Sequence, residues 1–325
     1  MPSRRLRNIA SFVKVFVAGG TGAIGFPSVH ALTLRGHKVY ATARGEEKAS
    51  LLRAIGVEPV FVDIYDLAAL RRAIRGCDAV IRLTTKLSGP MTAMRSRRFW
   101  SETNRLRTSG ARLLVDAAIA ESVGTFISES FYSVYCDAGE SFVDERSETN
   151  GGGIETLEAA LKGESEALSF TATGGSGIVL RFGAYYSPEA ASTLETIRLA
   201  SRRLFPLIGG GSLFISSIYL DDAAQAVAHA LSAPAGVYNV CDDEPVQFSV
   251  YLRTLAGTLG AKMPLGVPGF LGSALMGYPW HWLSRSVRME NAKLKAATAW
   301  SPKVRSIRDG WSIVVSCAVR ECLTS

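Results

Sequence analysis

Lys14-Val15-Phe16-Val17-Ala18-Gly19-Gly20-Thr21-Gly22-Ala23-Ile24-Gly25 decides the fold of this chain. Val15 to Ala18 carry no polar alternation, which reads as a strand buried on both faces. Glycines at three-residue spacing follow, and the stretch Ile24–Arg35 reads as a helix that Gly36 stops. A glycine turn between a buried strand and a helix N-terminus points backbone N–H groups and the positive end of the helix dipole at an anion, and the missing side chains let a pyrophosphate approach. Three such glycines recur by chance; their place between strand and helix gives them weight.

Outward from this turn, strands and helices alternate. Strand Lys38–Ala43, helix Glu46–Ile55, strand Glu58–Val62, helix Leu67–Ile74 and strand Ala79–Leu83 complete a first winding. A helix within Ser96–Glu121, strand Thr125–Ser128, a polar loop over Asp137–Gly153, helix Ile154–Thr171 and strand Gly177–Phe182 follow, and Ser216–Leu231 and Gly236–Val240 are regular enough to return to the sheet. This order predicts an α/β fold of the Rossmann type, a doubly wound parallel sheet with a smaller C-terminal substrate lobe. The expected division is 13–184 plus 215–243 for dinucleotide binding and 185–214 plus 244–325 for substrate. No internal repeat is visible.

At the end of the second strand, where sites that prefer NAD carry an acidic residue for the ribose 2′-hydroxyl, the chain has Arg44, with Lys48 one helical turn on. A guanidinium attracts a 2′-phosphate that a carboxylate would repel. The expected cofactor is NADP(H), with NAD(H) as the alternative; a solvated surface arginine is the plainer reading of Arg44.

The 325 residues are 47% hydrophobic, enough for a full core, and carry 36 basic against 29 acidic side chains, a net charge of +7. The basic residues are scattered, which favours a small anionic ligand over nucleic acid. Cys77, Cys136, Cys241, Cys317 and Cys322 form no metal or disulfide pattern, so reduced thiols and no metal are expected. Ser3-Arg4-Arg5 has a faint export-signal character that Lys14 interrupts, and a cytoplasmic location is expected. Gly266–Ser284 has no charged side chain, but Pro268, Pro279 and His281 argue against a membrane span and for a buried lid or dimer face.

With these residues in view, the chain resembles an extended short-chain dehydrogenase/reductase of the NAD-dependent epimerase/dehydratase group, over nearly its whole length. Phe16–Gly25 is similar to the family's opening motif, and Asp63-Ile64 to its adenine-contacting pair. Ile81-Arg82-Leu83-Thr84-Thr85 falls where the family's fourth strand meets the nicotinamide ribose. Asn104 with Leu113–Ala118, Leu180-Arg181-Phe182-Gly183 with Tyr186-Ser187-Pro188, Tyr219–Ala224 and Val237–Val240 resemble later landmarks. The resemblance implies a cofactor site of Gly19, Thr21, Gly22, Ala23, Ile24, Gly25, Arg44, Lys48, Asp63, Ile64, Leu83, Thr84, Thr85, Ser128, Lys162 and Phe182. It also implies a homodimer through Ser96–Glu121 and Ile154–Thr171.

The family's catalytic pattern, Ser/Thr followed by Tyr-x-x-x-Lys, is incomplete here. Lys162 with Glu166 matches the lysine-bearing helix, yet Glu158 stands four residues before it and no tyrosine lies between Tyr135 and Tyr185. Setting Val134-Tyr135 on the family's pattern puts Phe131 at the serine position, with Ser130 one step away. Glu158 and Lys162 read either as an exposed ion pair or as a proton-transfer pair, with Glu158 better suited to general base than to acid. Ser130 and Tyr132 complete the catalytic candidates, and Tyr135, Tyr185 and Tyr186 are further tyrosines that can approach the pocket.

Phe205, Phe214, Phe270, Tyr278, Trp280 and Trp282 read as the substrate lobe's core or as a pocket lining, and Arg202, Arg203 and Arg288 as surface charge or as anion ligands. The apolar Gly266–Ser284 segment favours an uncharged or carboxylated small organic molecule, a carbonyl or an alcohol. The expected activity is that of a nicotinamide-dependent oxidoreductase or epimerase. The alternative is a cofactor-binding regulator or scaffold without hydride transfer, or an enzyme that uses the dinucleotide only structurally.

Overall fold

The computed structural model describes residues 13–87 and 91–324, save the side chains of Met91 and of 318–324. Ser3-Arg4-Arg5 and the side chain of Cys322 lie outside the described residues.

Strands β1 (Lys14–Ala18), β2 (Lys38–Thr42), β3 (Glu58–Val60), β4 (Ala79–Arg82), β5 (Thr125–Phe131), β6 (Ser176–Phe182) and β7 (Gly236–Val240) form one parallel sheet, ordered β7-β6-β5-β4-β1-β2-β3. The order reverses between β1 and β4, and in open α/β sheets ligands bind at the carboxyl ends flanking that switch. Helices α1 (Gly25–Leu34), α2 (Glu46–Ala54) and α7 (Leu220–Ala230) cover one face; α3 (Leu67–Ile74), α5 (Ala111–Ala120) and α6 (Glu155–Ser169) cover the other. The unalternating strand β1 serves both layers, Val15 and Val17 inside one and Phe16 and Ala18 inside the other, all fully buried. Burying a side chain of valine or phenylalanine size is worth about 1.5–3 kcal/mol, so this strand is an anchor of the domain.

The structure differs from the sequence reading at several points. Strand β5 runs three residues past Ser128, to Phe131, because β6 pairs with it through Phe131↔Phe182. The helix expected over Ser96–Glu121 is broken into a 3₁₀ turn Arg97–Trp100, α4 (Ser101–Arg105), a π turn Leu106–Gly110 and α5. Residues 217–219 do not join the main sheet; Ser217–Tyr219 pairs with Ala184–Tyr186 in a separate ribbon. The loop before α6 holds a short strand, Phe142–Val143, paired with Arg288–Met289. Gly266–Ser284 is only partly covered: Trp282 is buried, while Phe270 is 81% exposed and Leu271, Leu275 and Leu283 lie on the surface.

Among the described residues, no helix is long and apolar enough to cross a membrane.

Candidate active site

The glycine turn is built by close approach. Gly19 has φ +92°, and a Cβ there would lie 2.6 Å from the carbonyl oxygen of Leu83. A Cβ on Gly25 would lie 1.9 Å from the carbonyl oxygen of Gly19. Neither position tolerates a side chain. The Gly22 N–H closes the turn on the Gly19 carbonyl at 3.0 Å, and the Gly19 N–H donates to Thr42 Oγ1 at 2.8 Å, tying the turn to β2.

From this turn a cleft of about 580 Å³ crosses the carboxyl ends of the strands. Gly19, Thr21 and Gly22 line its floor, Arg44 and Gly45 one flank, Asp63, Ile64 and Tyr65 the end beyond β3, and Leu83, Thr84, Thr85 and Leu106 the end above β4. The cleft thus brings together most of the cofactor set expected from sequence. Ala23 and Ile24 form the entry to α1 without lining the cleft, and Ile24 is buried in the core. Lys48 is an exposed side chain on α2, also outside the lining. Glu102, not singled out from sequence, joins the lining and accepts a 3.1 Å hydrogen bond from the Tyr65 hydroxyl, whose ring lies under the Arg105 guanidinium. Burial first, then the Glu102 carboxylate, push the Tyr65 phenol up to about 12.

Three expected cofactor residues are engaged elsewhere. Ser128 is fully buried and its Oγ accepts from Arg82 Nε and Nη2 at 3.0 and 2.8 Å, because the register sets Arg82 beside it on the inward face of the strands. Burial lowers the Arg82 guanidinium to about 10, with Glu129 and Glu164 acting against that fall. Phe182 is a core residue, its ring 5.4 Å from that of Tyr185. Lys162 is 60% exposed and pairs with Glu166 at 2.9 Å.

The case of Lys162 turns on helical phase. The face of α6 that packs on the sheet carries Thr156, Leu157, Ala160, Gly163, Glu164 and Ala167, all buried. At 100° per residue Lys162 projects from the opposite side. Thr156, Ala160 and Glu164, spaced four apart, occupy the inward stripe from which a Tyr-x-x-x-Lys pair would have to reach the cleft. Glu158 is also exposed and makes no pair with Lys162; its Oε1 accepts from the Gly153 N–H at 3.3 Å. Both side chains flank an open groove between α4 and α6, with Ser101, Asn104 and Thr108 opposite.

Glu164 accounts for Ser130. The Ser130 hydroxyl donates to Glu164 Oε1 at 2.6 Å, and Arg181 Nε and Nη2 donate to the same carboxylate at 2.9 and 2.6 Å. Arg181 stacks on Tyr135, whose hydroxyl donates to Asn239 Oδ1 at 2.7 Å. Burial opposes the charge on Arg181, but the Glu164 carboxylate outweighs it and holds the guanidinium above its ordinary range. Ser130 and Tyr135 therefore belong to a buried structural network. Tyr186 is buried against Tyr219 and Trp311. Tyr132, its phenol raised by burial, lines a separate apolar cavity.

Sequence reasoning missed a polar cluster at the end of β5. Glu129 and Arg107, 6% and 4% exposed, pair at 3.3 Å, and the Arg107 guanidinium lies over the Phe131 ring. Arg107 Nε and Nη1, Glu129 Oε2, the Tyr185 hydroxyl, Thr84 Oγ1 and both amide atoms of Asn104 are buried without hydrogen-bond partners. Burial first, and then Glu129, raise the Tyr185 phenol well above its usual value, so it stays protonated. A buried donor or acceptor left unmet costs about 1–3 kcal/mol, so each of these atoms calls for a partner the protein does not supply. A charged residue, Glu129, within a strand buried along most of its length was the available signal. The cleft, with glycines that no Cβ can replace and the unmet Thr84 hydroxyl at its β4 end, fits a dinucleotide whose nicotinamide half lies toward Thr84.

The comparisons agree with this geometry. A family described as NAD(P)H-binding matches residues 19–172. A 3-diazoavenalumate denitrifying reductase of a Streptomyces species is 31% identical over 314 residues, covering 92% of this chain and 99% of the relative. Among solved structures, a human epimerase family protein with NADPH superposes at TM-score 0.76 with 19% identity, covering 93% of this chain and 99% of that one. The dTDP-glucose 4,6-dehydratase of Streptomyces venezuelae with NAD does so at 0.76 and 21%, covering 95% and 97%. The chain is an α/β protein with an NAD(P)H-binding domain, and the cleft at the switch point of its sheet is the candidate site. It belongs to the extended short-chain dehydrogenase/reductase family, in the NAD-dependent epimerase/dehydratase group.

Proposed function

We propose that this protein is an NADPH-dependent reductase acting on an organic electrophile whose reduction needs no tyrosine–lysine proton relay, with a diazo group as the leading class. The observation that carries the reading is the inward stripe of α6, where Thr156 and Ala160 stand, together with Phe131 at the end of β5. A ketone reduced by hydride becomes an alkoxide that must be protonated. An arenediazonium ion that accepts a hydride yields the arene and dinitrogen, with charge balanced and no proton required. The relative named as a denitrifying reductase of a diazo compound supports this class.

Bound NADPH supplies the hydride. The glycine turn would hold its pyrophosphate and Arg44 its 2′-phosphate. Thr84 and Asn104 would take the polar atoms of the nicotinamide half, and the Arg107–Glu129 pair with Tyr185 would form the polar wall beside it. Buried as it is, this wall keeps bulk water from the reacting atoms.

The test mixes the protein with NADPH or NADH and a panel of arenediazonium salts, enones, aldehydes and ketones, following cofactor oxidation and product mass above the protein-free rate. Turnover of diazonium salts with NADPH is expected, and little or none of enones, aldehydes or ketones, whose hydride adducts must be protonated. Preferential reduction of ketones would refute the reading. The missing relay also supports a second reading, a cofactor-binding regulator, for which NADPH binds and nothing on the panel turns over.

A further inference from the structure

A second cavity, of about 220 Å³, is walled mainly by apolar side chains, six of them aromatic: Tyr132, Phe205, Phe214, Phe248, Tyr251 and Trp280. Tyr132 follows directly on β5, so the cavity adjoins the strand end that carries Glu129. A dry cavity of about 150 Å³ takes up benzene; this one therefore has room for an aromatic ring with a short unsaturated chain. One charged side chain lines it, Arg285.

Arg285 is held in place by its backbone surroundings. Its Nη1 donates to the carbonyl oxygens of Ser133, Tyr135 and Asn150 at 3.1, 3.0 and 2.9 Å, all neutral acceptors. Two N–H groups shared among three carbonyls hold this nitrogen in place, and among the described residues the guanidinium pairs with no carboxylate within 4 Å. Arg288, nearby, is occupied differently: it stacks on Phe142 and Phe214 and donates to the Glu140 carbonyl at 3.4 Å. A fixed guanidinium offers the paired N–H groups that a carboxylate accepts, in a geometry a lysine cannot reproduce.

We infer that this cavity binds an aromatic or conjugated carboxylate, its ring among the aromatic walls and its carboxylate on Arg285. The inference deepens the proposed function by naming the substrate's anionic handle, and rests on that reading only for calling the ligand a substrate.

The test is binding, independent of turnover. The NADP⁺-saturated protein is titrated with trans-cinnamate and with its methyl ester, by calorimetry and by quenching of tryptophan fluorescence, for the wild type, Arg285→Gln and Arg285→Lys. The acid should bind the wild type at least about tenfold tighter than the ester, Arg285→Gln should abolish that preference without weakening the ester, and Arg285→Lys should retain part of it. Equal binding of acid and ester by the wild type, no binding of either, or an undiminished preference in Arg285→Gln overturns the assignment. Should the glutamine variant fail to fold, loss of most of the preference in the lysine variant supports the assignment and full retention overturns it. Carboxylate-selective binding without reduction of any diazonium salt leaves the pocket standing and removes the reductase reading.

Discussion

Exchanging Lys162 and Glu164 in separate variants tests which face of α6 serves the cleft. Lys162 is an exposed partner in an i,i+4 pair with Glu166 at 2.9 Å, and such pairs contribute about 0.3–0.5 kcal/mol. At about 2–4 °C per kcal/mol for large domains, Lys162→Met should lower the melting temperature by less than about 2 °C and leave NADP(H) affinity within twofold. Glu164 is buried, with three charge-assisted hydrogen bonds from Ser130 and Arg181. In Glu164→Gln an amide N–H₂ replaces one acceptor and faces the Arg181 guanidinium. Removing one partner of a buried ion pair costs about 3–5 kcal/mol, so the melting temperature should fall by roughly 6–20 °C. Thermal unfolding followed by tryptophan fluorescence, with cofactor titration on the same samples, measures both. A cofactor Kd raised more than about tenfold in Lys162→Met would show that the lysine reaches the cleft and would refute the phase argument. Wild-type melting of Glu164→Gln would refute the structural role of the network.

Gly25→Ala places a methyl group 1.9 Å from the Gly19 carbonyl oxygen; calorimetry should show NADP(H) affinity reduced by at least about tenfold, with circular dichroism retaining the wild-type signal. Arg44→Ala should weaken NADP(H) binding about tenfold, equivalent to about 1.4 kcal/mol, and leave NAD(H) binding nearly unchanged; equal loss for both cofactors would remove the 2′-phosphate role. Asp242 is 1% exposed, with its Oδ2 accepting from Ser217 at 2.8 Å. Burial, reinforced by Asp243 and Glu244, raises its carboxyl well above its ordinary value against the Ser217 hydrogen bond. The folded state therefore holds a proton that the unfolded chain has released above its ordinary value near 3.8, so stability is lost as pH rises through that window. Asp242→Asn, which carries no charge at any pH, should melt higher than wild type at pH 7 and lose that advantage toward pH 4. A melting difference independent of pH would contradict this.

The sequence by itself determined the sheet, the order of its elements and the glycine turn, because these depend on local rules: buried strand runs, helical periodicity, and glycines where a Cβ collides. Arg44, Asp63, Ile64, Leu83, Thr84 and Thr85 were also legible, since each follows a strand end that the topology must bring to the cleft. Motif spacing misled on α6. Lys162 and Glu166 have the right interval, but the interval does not say which face they share; the apolar stripe of Leu157, Ala160 and Ala167 does, and it places Glu164 inward. The Ser128–Arg82 bond, the Glu164–Arg181 network, the buried Arg107–Glu129 pair and the carbonyl cage around Arg285 were decided only by tertiary structure. Each joins groups between 17 and 152 residues apart. Sequence shows which of these residues are polar, but only the packing of strand ends against helix faces decides which of them lose water and meet.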